Sequence, residues 1–212
     1  MNPQKESWEL LAHHIIKEMG RRNMEGYYCS TSEEAVAKAM SLIPAGAVVA
    51  WGGSETLRET GMLERLKNSG QLQIIDRDTA ADEEEKRELQ LRSFGADYYF
   101  MSTNAITREG ELINIDGAGN RVACLIYGPR AVIMLAGMNK VVKDVESGIE
   151  RVRNISAPPN AKRLQLNTPC AKVGYCMDCH SEDCICSDMV ITRHTRQKNR
   201  IKVILVGESL GY

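Results

Sequence analysis

Several features of common protein classes are missing from this 212-residue sequence. Its 27 basic and 28 acidic residues nearly balance, and without a long basic run the composition does not indicate a nucleic-acid-binding surface. No apolar stretch reaches the roughly 18 residues that a membrane-spanning helix needs. The opening residues, Met-Asn-Pro-Gln-Lys-Glu, are not followed by the apolar core of a signal peptide. We therefore expect a cytoplasmic protein with no membrane span and no nucleic-acid partner.

A nicotinamide-binding fingerprint is missing as well. No Gly-x-Gly-x-x-Gly follows a predicted strand, although Gly117-Ala118-Gly119 is superficially similar. Neither an internal repeat nor a low-complexity linker divides the chain, and its length suits one domain with a substantial core. We predict a single α/β domain over residues 1–212, in which residues 168–188 form a cysteine-rich insert or tail segment.

The sequence does contain an alternation of helical and strand patterns. Trp8, Leu11 and Ile15 repeat at helical spacing, so the chain is predicted to open with an amphipathic helix. The apolar runs at residues 47–51 and 132–136 are typical of strands buried on both faces of a parallel sheet. This alternation predicts a mostly parallel sheet flanked by helices.

A later helix is predicted from the apolar positions Val145, Ile149, Val152 and Ile155. Two consecutive prolines, Pro158-Pro159, follow these positions. Because proline lacks an N–H group and clashes with the preceding helical turn, we expect the helix to end there.

Polar clusters follow three of the predicted strands, at residues 52–56, 102–104 and 137–140. In open α/β sheets, ligands bind beyond the carboxyl ends of the strands, where such clusters meet. The polar turn at residues 116–121 could join them from a neighbouring hairpin. We therefore predict one ligand cleft at the rim of the sheet, although turns and helix caps alone would use similar residues.

Within this cleft, Lys140 and Arg121 are predicted to bind a carboxylate, and Asn104 and Asn114 to orient it. Asp116 is a candidate acid or base, and it could equally cap the helix that follows it. The predicted catalytic residues are Asp116 and Lys140. The predicted binding residues are Gly52, Gly53, Ser54, Glu55, Thr56, Asn104, Asn114, Gly117, Asn120, Arg121 and Asn139.

The glycine-containing loop at residues 52–56 lies between a predicted strand and a predicted helix, for which Thr56 and Glu59 fit a capping box. A turn of this kind collects anions on free N–H groups, but it can also be a plain tight turn. Glu55 argues mildly against a phosphate in this loop, because it brings its own negative charge.

Five of the seven cysteines lie within 17 residues, which favours metal or redox chemistry in a reducing compartment. Cys176-x-x-Cys179 suits two thiolates on one metal ion. The predicted metal ligands are Cys170, Cys176, Cys179 and Cys186. Cys184 is the alternative fourth ligand, and His180 a substitute. Zinc and an iron–sulfur cluster both fit, and thiol–disulfide chemistry stays open. Cys29 and Cys124 are predicted to be core packing residues.

With these motifs assembled, the sequence resembles the lactate-utilization (LUD) domain family, in particular its stand-alone members with a cysteine-rich C-terminal segment. The resemblance covers nearly the whole chain. It is carried by residues 53–61, 102–107, 114–123 and 137–142, by Thr168-Pro169-Cys170 and by the closing Leu210-Gly211-Tyr212.

The resemblance implies a fold like that of ribose-5-phosphate isomerase and the coenzyme A transferases. In those relatives, a loop after a strand binds phosphate, and an acidic turn and a lysine handle the substrate. Residues 52–56, Asp116 and Lys140 match that arrangement. Members of the LUD family take part in oxidising lactate to pyruvate, alongside iron–sulfur proteins. The cysteine-rich segment here is not the tandem ferredoxin segment of the larger members.

Three functions are compatible with this sequence. The first is a redox-associated component that binds a small carboxylate and carries a cysteine-ligated metal or iron–sulfur site, with redox partner proteins. The second is an isomerase or transferase for a phosphorylated or coenzyme A-linked substrate, a reading that rests on fold analogy. The third is a non-catalytic module stabilised by metal. Catalysis and a homo-oligomeric state are left open.

Overall fold

The computed structural model describes residues 2–212 and contains a six-stranded sheet whose strands all run parallel. The strands of the chain are β1 Glu25–Cys29, β2 Val48–Trp51, β3 Gln73–Ile75, β4 Tyr98–Met101, β5 Ala105–Thr107, β6 Leu112–Asp116, β7 Ala131–Gly137, β8 Val141–Val142, β9 Asp188–Thr192 and β10 Ile201–Val206. The order in the parallel sheet is β1-β10-β7-β4-β2-β3. This confirms the predicted α/β fold.

The central strand β7 is buried along its whole length, as its apolar run predicts. Successive side chains of a strand point to opposite faces. Val132 and Met134 accordingly pack into the core on one face, with Ile15 from the first helix. Ile133 and Leu135 pack into the core on the other face. Each face of the sheet therefore has its own hydrophobic core.

Helices cover both of these faces. Their bounds are α1 Pro3–Arg21, α2 Ser32–Ser41, α3 Glu55–Glu59, α4 Met62–Lys67, α5 Glu83–Ser93, α6 Asn120–Ile126, α7 Val145–Arg151, α8 Ala157–Arg163 and α9 Pro169–Val173. Residues of α1, α5 and α6 line one core, and residues of α2, α3 and α4 line the other. Within residues 2–212, none of these helices has the length and apolar character to cross a bilayer.

A second, four-stranded sheet with the order β8-β5-β6-β9 lies beside the first. Its strands β5 and β6 are antiparallel, as are β6 and β9, whereas β5 and β8 are parallel. The sequence patterns missed β5 and β8, because strands of two or three residues are too short to show periodicity. This sheet carries Asn114 and Asp116 to the rim of the parallel sheet.

The prediction that Pro158-Pro159 ends a helix was wrong. After α7 the chain makes a π-helical turn, Val152–Ser156, and continues as α8 through the two prolines. The prolines occupy the first turn of α8, where missing N–H groups cost least. The wider π-helical turn shifts the hydrogen-bond register immediately before them. The helical segment can therefore reach Arg163 and border the site.

Candidate ligand-binding cleft

The three neighbouring strands β2, β4 and β7 end at one edge of the parallel sheet, and the polar residues that follow them border one cleft. The cleft has a volume of about 280 Å³, which suits a small ligand. Ser54, Asn104, Asp116 and Lys140 all line it, although they are widely separated in sequence. The convergence expected from parallel-strand geometry is therefore present.

Lys140 lies in a short 3-10 turn after β7 and is only 4% exposed. Its Nζ donates hydrogen bonds to Thr56 Oγ1 at 2.8 Å and to Ser102 Oγ at 3.1 Å. No carboxylate of residues 2–212 forms an ion pair with this amine at 4.0 Å or less. Burial, with the positive charges of Arg151 and Arg121 nearby, lowers the pKa of Lys140 to about 7. The Glu59 carboxylate acts in the opposite direction but forms no ion pair with Lys140, so the cleft contains a buried amine without a carboxylate in direct contact.

Arg121, at the start of α6, is held by oxygen atoms of the surrounding backbone and amide side chains. Its Nη1 donates to Asn114 Oδ1 at 2.9 Å and to the Ser102 carbonyl at 3.2 Å. Its Nη2 donates to Asn104 Oδ1 at 3.1 Å and also to the Ile115 carbonyl. Asn104 and Asn114 therefore fix the position of Arg121. The Nδ2 atom of Asn114 is buried without a hydrogen-bond partner among the described residues.

Asp116 caps α6 from outside the helix. Its Oδ2 accepts hydrogen bonds from the backbone N–H groups of Arg121 at 3.0 Å and Val122 at 3.1 Å. The same oxygen lies 3.8 Å from Arg121 Nε. Because Gly119, the residue at the cap position, has no side chain, these bonds replace a conventional cap. The capping alternative for Asp116 is present in the structure, and its role as an acid or base stays a prediction.

The loop between β2 and α3 is organised by Ser54, not by the predicted Thr56–Glu59 capping box. Ser54 Oγ accepts a hydrogen bond from the Leu57 N–H at 3.3 Å. Thr56 instead uses its hydroxyl to contact Lys140. The capping box was wrong because the helix begins one residue earlier than Thr56, at Glu55.

Glu55 does not leave an uncompensated negative charge in the cleft. Its Oε1 lies 2.5 Å from Arg58 Nη1 and 3.2 Å from Arg163 Nη1. These two cations offset the carboxylate, so the objection that Glu55 repels an anion loses much of its weight.

The glycines of the same loop allow two arginines to approach the backbone closely. A Cβ atom at Gly52 would lie 2.9 Å from Arg121 Cγ and 3.0 Å from the Tyr99 hydroxyl. A Cβ atom at Gly53 would lie 2.8 Å from Arg77 Nη2. Gly53 lines the cleft, whereas Gly52 lies behind Arg121.

Substitution of Gly52 by alanine is expected to lower the free energy of unfolding by roughly 1–3 kcal/mol, as overpacking does. Arg121 is held by hydrogen bonds at its far end and has little freedom to move away. Urea unfolding of Gly52→Ala measures the change. Gly20→Ala is the matched control, because a Cβ atom there meets no atom within 4 Å. Equal stability of the two variants would contradict this account of Gly52.

Three of the predicted site residues support the cleft but do not line it: Gly52, Asn114 and Asn139. Asn139 Oδ1 accepts a hydrogen bond from the Leu210 N–H at 3.1 Å, and its Nδ2 donates to the Gly211 carbonyl at 3.4 Å. These bonds hold the segment whose Tyr212 borders the cleft. The predicted residues that do line the cleft are Gly53, Ser54, Glu55, Thr56, Asn104, Asp116, Gly117, Asn120, Arg121 and Lys140.

Several residues of the cleft were missed by sequence reasoning. Arg77 follows β3, so the rule about carboxyl ends of strands could have identified it. Ser156, Arg163 and Ile185 also line the cleft, but they belong to segments after α7 that no local pattern connects to the sheet.

Positive charge predominates around the cleft. Its lining contains four cationic side chains, Arg77, Arg121, Lys140 and Arg163, and two carboxylates, Glu55 and Asp116. The buried Arg151 adds a further cation behind the cleft, where its Nη1 donates to the Asn104 carbonyl at 2.7 Å. Because buried cations are costly without counter-charge, this arrangement suits an anionic ligand.

The cysteine-rich segment lies at one side of the cleft. Cys184 Sγ and Cys186 Sγ are 3.3 Å apart. Burial, followed by the neighbouring sulfurs of Cys184, Cys176 and Cys179, raises the pKa of the Cys186 thiol to about 12. Cys170 Sγ instead contacts Thr168 Oγ1 at 3.3 Å. The sulfurs of Cys184 and Cys186 are therefore in contact, while Cys170 has a different neighbour.

No disulfide links these cysteines, all of which are free thiols in the described structure. Within residues 2–212, no group of three or more His, Cys, Asp or Glu side chains has the arrangement of a metal-ion site. The other two cysteines, Cys29 and Cys124, lie in the two hydrophobic cores, which confirms their predicted packing role.

The fold and the cleft define an α/β protein with a cationic cleft at the carboxyl edge of a parallel sheet. The family model of the LUD domain matches residues 12–206, and the protein belongs to this family. Its membership confirms the resemblance drawn from the sequence motifs. The chain matches no curated protein.

Solved structures give a second comparison. A DUF162 family protein from Deinococcus radiodurans is 15% identical, with a TM-score of 0.53 over 94% of this chain and 98% of that chain. This likeness supports the α/β fold. The eIF2B delta subunit from Chaetomium thermophilum is 17% identical, with a TM-score of 0.34 over 52% of this chain and 48% of that chain.

Proposed function

We propose that the cleft binds a small carboxylate and that the protein is a redox-associated member of the LUD family in the cytoplasm. The buried amine of Lys140 carries this proposal, because it faces the cleft with only the hydroxyls of Thr56 and Ser102 as partners. A carboxylate would supply the missing counter-charge and raise the pKa of Lys140. Arg77 and Arg163 border the same space and can bind further oxygen atoms.

The size of the cleft favours a small ligand over a large one. A volume of about 280 Å³ lies near the lower end for small-molecule pockets, so a hydroxy or keto acid of a few carbons suits it. Asp116 lies in the same lining, and we propose it as the acid or base for such a ligand. A phosphorylated ligand is the competing candidate.

A ligand panel tests the proposal. In a thermal-shift experiment, we expect L-lactate, pyruvate and oxalate to raise the melting temperature, because a bound ligand stabilises the folded state. Lactamide, which is neutral but similar in shape to lactate, should produce no shift. An equal response to lactamide would contradict the role of charge. A response to sugar phosphates alone would favour the isomerase or transferase alternative.

We further propose that the cysteine-rich segment holds a metal ion or an iron–sulfur cluster, with Cys170, Cys176, Cys179 and Cys186 as ligands. The contact between the sulfurs of Cys184 and Cys186 supports a shared thiolate site, and Cys184 is the alternative to Cys186 as the fourth ligand. Such a site would serve electron transfer with redox partner proteins or stabilise the segment.

Metal analysis and visible absorption spectra of anaerobically purified protein test this second proposal. A brown sample indicates an iron–sulfur cluster, and a colourless sample with one zinc per chain indicates a zinc site. Protein that contains neither after reconstitution would contradict the proposal. Separate Cys184→Ser and Cys186→Ser variants identify the fourth ligand, because only loss of a ligand should reduce the bound metal.

A further inference from the structure

The cysteine-rich segment forms one wall of the cleft. Ile185 lies between Cys184 and Cys186 and borders the cleft directly. It packs against the turn after β6, where a Cβ atom at Gly117 would lie 3.1 Å from Ile185 Cα and 3.2 Å from the Cys184 carbonyl oxygen. The two residues that flank Ile185 both carry thiols. A backbone movement that brings these thiols to a shared ligand therefore moves the cleft wall.

The π-helical turn Val152–Ser156 makes a second connection between the cysteines and the cleft. Arg153 Nε donates a hydrogen bond to Cys176 Sγ at 3.3 Å, and Asn154 Oδ1 accepts one from the Cys176 N–H at 3.1 Å. Ser156, in the same turn, lines the cleft. π-Helical turns interrupt helices frequently at functional sites, because they re-aim the side chains around them.

Ser156 also connects this turn to the buried cations. Its Oγ accepts a hydrogen bond from Arg151 Nη1 at 2.8 Å, and the same Nη1 atom donates to the Asn104 carbonyl at 2.7 Å. Asn104 in turn holds Arg121. The backbone of the π-helical turn thus connects two sets of hydrogen bonds, one at Cys176 and one at the residues that border the ligand space.

Few buried apolar contacts hold the cysteine-rich segment, whose further polar contacts are the ion pair between Arg153 and Asp178 and the hydrogen bond from the Asn167 N–H to Asp183. Tyr175 and Met177 are more than half exposed, and residues 174–187 contain no helix or strand. Segments with few buried apolar contacts are the ones that open locally. The sulfurs are close to one another but are not arranged as a metal site. Metal binding would therefore have to draw the thiolates together and reposition Ile185 and Arg153.

From these contacts we infer that a thiophilic metal at the cysteine cluster orders the cleft wall, so that metal and carboxylate bind with positive cooperativity. This inference rests on the proposed function, because it needs both ligands. Coupling between two sites is reciprocal: each ligand increases the affinity of the other by the same factor. A coupling of about tenfold lies within the usual range.

The experiment compares zinc-loaded protein with protein stripped by a chelator under reducing, anaerobic conditions. We expect Kd for L-lactate, measured by calorimetry, to be about tenfold higher in the stripped protein. Zinc reconstitution should restore the lower value. Ile185→Ala is expected to keep one zinc per chain and lose most of the coupling, whereas the exposed Met177→Ala should retain both zinc and coupling.

Hydrogen exchange supplies a readout that does not depend on the carboxylate. Zinc removal should speed amide exchange at residues 115–121 and 152–157, both outside the cysteine-rich segment, while the core strand β7 stays protected. Unchanged exchange there in the stripped protein, or a lactate Kd within about twofold of the loaded value, would overturn the inference. Absence of lactate binding in zinc-loaded protein would instead contradict the proposed carboxylate site, and the exchange result would still decide whether metal orders the wall.

Discussion

Replacement of Arg121 by leucine is expected to lower the free energy of unfolding by roughly 3–5 kcal/mol, the range for removing one partner from a buried charged network. The guanidinium donates to Asn114, Asn104 and two backbone carbonyls, and the variant leaves these acceptors without a donor. It also leaves the Asp116 carboxylate without its nearby cation. Urea unfolding followed by circular dichroism measures the loss.

Two further variants make the Arg121 result specific. Arg121→Lys keeps the charge but offers a single ammonium group where a planar fork is needed, so we expect an intermediate loss. Arg130→Leu is the surface control: this arginine pairs with Asp97, and its side chain is 86% exposed, so its loss should change stability by no more than about 0.5 kcal/mol. Similar stabilities for Arg121→Leu and Arg130→Leu would show that the hydrogen bonds of Arg121 contribute little to the free energy of unfolding.

Replacement of Lys140 by methionine is expected to abolish carboxylate binding under the conditions that saturate the wild-type protein. Loss of one member of a buried hydrogen-bonded charge pair typically costs about 2–5 kcal/mol of binding free energy. That is a loss on the order of a hundredfold or more in affinity. Lys143→Met is the matched control, because Lys143 lies three residues away with its side chain 76% exposed. Calorimetry with L-lactate separates the two variants, and tight binding by Lys140→Met would refute the assigned role.

The pH dependence of binding gives an independent test of Lys140. Since burial lowers its pKa to about 7, the amine loses its proton as the pH rises through that value. A carboxylate binds the protonated form, so the affinity should fall by about tenfold for each pH unit above 7. A flat profile between pH 6 and pH 9 would contradict protonation of Lys140 as the source of affinity.

The same pKa also predicts how the stability of the unliganded protein depends on pH. Between about 7 and 10.5, the unfolded chain holds the Lys140 proton and the folded protein does not. Because the unfolded state binds more protons in this window, the free energy of unfolding should rise with pH across it. The Lys140→Met variant should lack this contribution. Urea unfolding at several pH values measures both profiles.

Patterns read from the sequence identified the cleft but not the roles of its residues. The clusters at residues 52–56, 102–104 and 137–140 meet as predicted, because carboxyl ends of parallel strands share one edge. Asn114, in contrast, was assigned to a ligand and is buried against Arg121. A short polar side chain next to a strand looks the same in sequence whether it contacts a ligand or another side chain.

The two errors in the element assignment have local causes. The prolines at residues 158–159 suggested a helix end, but a π-helical turn before them accommodates the missing N–H groups. The short strands β5 and β8 were not predicted because two or three residues are too few to show a hydrophobic period. Pairing with strands elsewhere in the chain defines them.

The sequence by itself determined the parallel sheet, its two cores and the polar residues at its edge, because hydrophobic periodicity records which side of each element is buried. Only the tertiary structure decided that Lys140 forms no ion pair with a carboxylate of the described residues, that Arg163 and Ile185 border the cleft, and that the cysteines lie beside it. These facts depend on contacts between segments far apart in the chain, and a local pattern carries no information about which distant segment will lie opposite.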